Sequence, residues 1–80
     1  MTRLPGVPPA ALPRSGFPVL TPRELEVVAL LAMQFSTAQM ATHMAISINT
    51  VRTRVRRALW KLDADDRPAA VQAARERGLL

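Results

Sequence analysis

Two helix starts follow closely on one another in this chain, leaving room between them for little except a short helix and a tight turn. Ser36 stands three residues before Gln39, the spacing at which each side chain can bond the other's backbone N–H. Ser47 stands three before Thr50 and can cap a further helix. Between them Met40, Ala41 and Met44 make one apolar face, and Ala45-Ile46-Ser47 makes the turn, with Ile46 or Ile48 filling the gap between the helices. The second helix of the pair should run from about residue 48 to Leu62. At helical spacing Val51, Val55, Ala58, Leu59 and Leu62 form its core stripe. Arg52, Thr53, Arg56, Arg57 and Trp60 fall on the far side or its shoulders, and Arg54 and Lys61 share the other shoulder. No Asp or Glu lies between Ser36 and Lys61, so these cations have no helical i,i+4 partner.

The flanks supply a core and a brace. Thr21 precedes Glu24 by three, with Pro22 at the first helical position, so a helix should begin there and run to about residue 33. Leu25, Val27, Val28, Leu30 and Leu31 cover most of its circumference, which requires packing on several sides. Glu24 and Glu26 are read as capping and solvating groups. After Lys61, the acids Asp63, Asp65 and Asp66 oppose the helix dipole and help end the helix. A fourth helix is expected over about Pro68 to Arg77, capped by Asp66 or Arg67 and stopped at Gly78, with Val71, Ala74 and Leu79 packing inward. Its remaining alanines give a smooth face suited to helix–helix contact. The reading is an all-α, four-helix domain over 20–80, with a helix-turn-helix at about 36–56.

Residues 1–19 read as a separate arm. Five prolines and two glycines among the first twenty residues leave neither helix nor central strand, so an extended or disordered segment is expected. It fits an inert tail, a linker from a larger protein, or the natural start of a small one, since Met1 opens it.

Composition narrows the function. Eighty residues form one small domain. The net charge of +5 and pI near 11.6 suit a polyanionic partner. The chain has no Cys and one His, His43, which rules out a thiolate metal site and a histidine pair. Neither a glycine-rich phosphate loop nor paired acids on one helix face are present, so no enzyme and no cofactor are expected. The longest apolar run, Val27 to Met33, is too short to cross a bilayer.

The cationic helix suits duplex DNA. Arg forks onto guanine O6 and N7, and a threonine methyl meets a thymine methyl. The candidate base contacts are therefore Arg52, Thr53 and Arg56. Hydroxyls and amides at helix N-termini suit phosphates, which nominates Thr37, Ser47, Asn49 and Thr50. Arg54, Arg57 and Lys61 add phosphate-seeking charge beside or beyond the groove.

The string LTPRELEVVALLA at 20–32 resembles the opening of the LuxR/GerE/NarL-type C-terminal helix-turn-helix domain of bacterial transcriptional regulators. Met40-Ala41, the Ile46-Ser47 and Thr50-Val51 pairs, Lys61-Leu62, Arg67 and the ending ARERGLL are similar too, and the likeness spans 20–80 without a gap. The resemblance implies a third helix reading the major groove and a fourth forming a two-fold homodimer on an inverted-repeat site. It places base contacts on Arg52, Thr53 and Arg56 and phosphate contacts on or near Thr50, Arg57 and Lys61. It also implies a cytoplasmic protein at the bacterial nucleoid. Within the family such a domain usually follows a receiver, a small-molecule domain or an ATPase module, so a larger parent chain or RNA polymerase are further expected partners.

Four positions depart from the family pattern. Gln34 stands where glycine is usual, which predicts a turn built in another way, because a left-handed non-glycine residue costs on the order of 1 kcal/mol. Arg54 replaces a histidine. Ala58 replaces a bulky aliphatic and should leave room in the core. Trp60 replaces a polar residue, and either folds onto neighbouring aliphatic stems or contacts a partner protein or second subunit. The segment TVRTRVRRAL also resembles sigma-factor region four, although the ending GLL fits that family less well. A module that docks on RNA polymerase or another regulator without reading DNA is the rival from a different class.

Overall fold

The structure, a computed structural model, describes residues 19–80, so the arm expected over 1–19 falls almost wholly outside the described residues. Four helices follow: α1 Pro22–Ala32, α2 Thr37–Met44, α3 Ile48–Lys61 and α4 Arg67–Glu76, with no strand among the described residues. The all-α expectation holds.

Local chemistry sets each start. Thr21 and Glu24 form a reciprocal capping box on α1, and Ser36 and Gln39 form one on α2. Ser47 caps α3 through the amide of Thr50, and Asp66 caps α4 through the amide of Ala69. Each cap satisfies an amide that the first helical turn leaves without an acceptor.

The stops are alike as well. After each helix one residue turns left-handed: Gln34 (φ 63°), Ala45 (φ 57°), Asp63 (φ 55°) and Gly78 (φ 73°). Each is followed by an amide that reaches back across the last turn, as in Phe35 N–H to Leu30 O at 3.1 Å and Ala64 N–H to Leu59 O at 2.9 Å. This double-bonded stop normally uses glycine. The expectation that Gln34 would force another kind of turn is therefore corrected. The turn is the usual one, held by the Phe35 amide and by Phe35 packing on the core that contains Leu30.

The core has two parts. Val27, Leu30 and Leu31 of α1 meet Met40 and Ala41 of α2 and Val51 and Val55 of α3, with Phe35, Met44 and Ile46 packed against them. Of the two isoleucines at the turn, Ile46 is the plug, while Ile48 stays exposed. The second part joins Val28 of α1, Ala58 and Leu62 of α3, and Ala70 and Ala74 of α4. Ala58, expected to leave room in the core, is fully buried there in a cluster it shares with Ala70 and Ala74. Leu79, expected inside, is exposed.

Candidate nucleic-acid interface

α3 divides cleanly around its circumference. Val51, Val55 and Ala58 are buried, whereas Arg52, Arg56, Arg57 and Trp60 are exposed and Thr53 and Arg54 are half-buried. Among the described residues the ion pairs are Arg23–Glu26 and Lys61–Glu24. Arg52, Arg54, Arg56 and Arg57 have no carboxylate partner there. A cationic side chain in water loses little when it meets a phosphate or a base edge, since no internal pair must break first.

Thr53 is more specialised than the sequence suggests. Its hydroxyl donates to the Asn49 carbonyl at 3.1 Å, one turn back. The hydroxyl proton is thus spent inside the helix, which leaves the oxygen as an acceptor only and the methyl free to suit a thymine methyl.

At the start of α3, Ser47 Oγ accepts from the Thr50 amide at 3.1 Å and lies 2.9 Å from Thr50 Oγ1. One hydroxyl donates to the other, and the second keeps a proton for an outside acceptor. The amides of Ile48 and Asn49, in the first turn, lack a helical acceptor and add to the positive end of the helix. Thr37, at the first position of α2, accepts from Arg67 Nη2 at 2.7 Å and keeps its own hydroxyl proton. That bond brings the Arg67 guanidinium from α4 to the start of α2. Sequence reading did not assign Arg67 to the site, because its partner lies thirty residues away and no local pattern connects them.

Lys61 stands apart from the other phosphate candidates. Its ammonium donates to Glu24 Oε1 at 2.7 Å and to the Val19 carbonyl at 3.3 Å, and only 16% of its side chain is exposed. A phosphate contact would have to break this pair and strand a buried carboxylate. Glu24, expected to be solvated, is buried. Its Oε1 also accepts from the Thr21 amide at 2.9 Å. Burial alone would raise the Glu24 pKa, but the Lys61 hydrogen bond and the Thr21 amide outweigh it and hold the carboxyl below its ordinary 4.5. Lys61 thus ties the end of α3 to the start of α1.

Trp60 does not fold down onto its neighbours. At 67% exposure it is the most open of the large apolar side chains among the described residues. His43 is exposed and meets Phe35 edge-on, with ring centroids 5.8 Å apart. Among the described residues no cluster of His, Asp or Glu is arranged to hold a metal, and no helix is long and apolar enough to cross a membrane.

A family model described as bacterial regulatory proteins of the luxR family matches residues 18–74. The chain belongs to this family. That assignment is to the first of the two families that the sequence resembles. Similar proteins include the response regulator protein VraR of Staphylococcus aureus strain Mu3. It is 38% identical over 64 residues, which cover 80% of this chain and 31% of VraR. VraR of Staphylococcus epidermidis strain ATCC 35984 gives the same figures. A solved structure of the response regulator ChrA, from a heme-sensing two-component system, superposes with a TM-score of 0.76 at 36% identity. It covers 88% of this chain and 33% of ChrA. The chain thus spans about a third of the length of these relatives. A luxR-type helix-turn-helix of response regulators implies DNA-binding regulation of transcription.

Proposed function

We propose that the domain binds double-stranded DNA in a sequence-specific manner to regulate transcription, with α3 laid in the major groove. The observation that supports this most strongly is the exposed face of α3, whose arginines have no carboxylate partner among the described residues. Arg52 and Arg56 fork onto guanine edges, and the Thr53 methyl packs on a thymine methyl. Thr37, Ser47, Asn49, Thr50, Arg54 and Arg57 contact phosphates and fix the register. Lys61 is left out of this set, since its ammonium is engaged by Glu24. Two copies pair through α4 on an inverted repeat, the two-fold of the protein matching that of the site. The domain acts in the bacterial cytoplasm, at the nucleoid, as the DNA-reading end of a longer regulator or beside RNA polymerase.

Selection of duplexes from a random pool tests the proposal. An enriched motif arranged as an inverted repeat is the expected result, with affinity falling steeply as salt rises, by a logarithmic slope of about −0.9 for each phosphate neutralised. No enrichment, together with a flat salt response, would leave a protein-docking role in its place.

A further inference from the structure

We infer that Trp60 is a DNA contact, an apolar ring resting on the deoxyribose wall where α3 leaves the groove. This rests on the DNA-binding reading above and extends it to a residue of a different chemical kind. At 100° per residue, Trp60 stands within about 20° of both Thr53 and Asn49 around the helix. It is therefore in line with the reading face and opposite Val51, Ala58 and Leu62, which are buried. Arg56 and Arg57, one turn earlier, are exposed on the same side. Along the axis Trp60 lies about 16 Å beyond Asn49, more than the roughly 12 Å width of the major groove. A helix whose first half sits among the bases thus brings its last turn against the sugar–phosphate wall.

The chemistry at that end favours sugar over phosphate. Lys61, the nearest cation in sequence, is bound to Glu24, and Asp63, three residues beyond Trp60, is exposed and repels phosphate. A neutral indole gives up no charged hydration there and buries its ring against deoxyribose carbons, with its N–H left at the wet rim. Charge separates this occupant from a protein one. The ring is set at the edge of a face whose arginines call for a polyanion, so a duplex covers both with one surface.

The chain has one Trp, so its emission reports on this position alone. The test titrates the 80-residue protein with a fluorescein-labelled duplex taken from the selection, following anisotropy of the label and indole emission together. Both should change with the same midpoint, the indole being quenched. Trp60→Ala should weaken binding about tenfold, as expected for losing the burial of roughly half a ring, while the salt slope stays unchanged because no counterion is released by a neutral group. Trp60→Phe should restore most of the loss, and thermal melting of both variants should match the parent. Anisotropy that reports saturable binding while indole emission stays constant, with Trp60→Ala binding as tightly as the parent, overturns the contact and leaves the DNA reading intact. Self-association without DNA that Trp60→Ala abolishes, seen by sedimentation, overturns it in favour of a second copy. Failure of anisotropy to respond to any selected duplex removes both readings.

Discussion

Two cationic regions of one helix have opposite fates. The face carrying Arg52, Arg56 and Arg57 is open and has no carboxylate partner among the described residues, while Lys61, at the end of the same helix, is clamped between Glu24 and the Val19 carbonyl. In sequence the five cations form a single run. Around the helix they separate because Lys61 leans over the start of α1, where Glu24 is already held by its capping bond to the Thr21 amide. A buried carboxylate needs a charged partner far more than an exposed arginine does. Charge count alone therefore says little about role; the environment of each charge assigns it.

The largest effect should come from breaking the clamp. Glu24→Ala removes the carboxylate and half of the α1 capping box, and should cost about 2–3 kcal/mol, discounted from a fully buried pair because Lys61 keeps some solvent contact. Chemical denaturation measures it. Lys61→Met should destabilise to a similar degree yet leave both the affinity and the salt slope of the folded protein unchanged, which an arginine on the open face cannot do. Acid probes the same pair without mutation. Because the folded pKa of Glu24 lies below the ordinary 4.5, its contribution is fully present above that pH and is lost as the pH falls through the folded value. Glu24→Gln should abolish that part of the acid response.

Next in size is the open face. Arg52→Ala and Arg56→Ala should each cost about 1–3 kcal/mol of binding to the selected duplex and relax preference at one base position, with melting shifted little. Arg57→Ala should weaken all duplexes about equally and reduce the salt slope by about one. A destabilisation by Arg56→Ala comparable to that of Glu24→Ala would erase the distinction between the two regions.

The smallest effect concerns neither region. Gln34→Gly should stabilise the fold by up to about 1 kcal/mol, because Gln34 already holds φ 63° at a cost glycine does not bear. In a domain of this size that raises the melting temperature by several degrees. Ala45→Gly should behave in the same way.

Much of the architecture could be read from short-range signals. Thr21 with Glu24, Ser36 with Gln39, Ser47 with Thr50, and Asp66 before Pro68 each act within one turn, and each starts a helix in the structure. The two faces of α3 follow from apolar spacing in the same way. What stayed hidden depends on distant partners. Glu24 meets Lys61, and Thr37 meets Arg67, only after the chain has folded back on itself. Gln34 accepts a left-handed conformation because Phe35 behind it is bonded and packed, a tertiary gain that residue preference cannot announce.

The alanine seam between α3 and α4 has a mechanical consequence. Ala58, Ala70 and Ala74 have no side-chain torsion to rotate, so a displacement of α4 can be absorbed by a change of rotamer only at Val28, Leu62 and the leucines packed beside them. A pull on α4 is therefore passed to α3 with less give than a seam filled only by long side chains would allow, and if two copies pair through α4 as proposed, the tolerated spacing between their half-sites should be reduced accordingly.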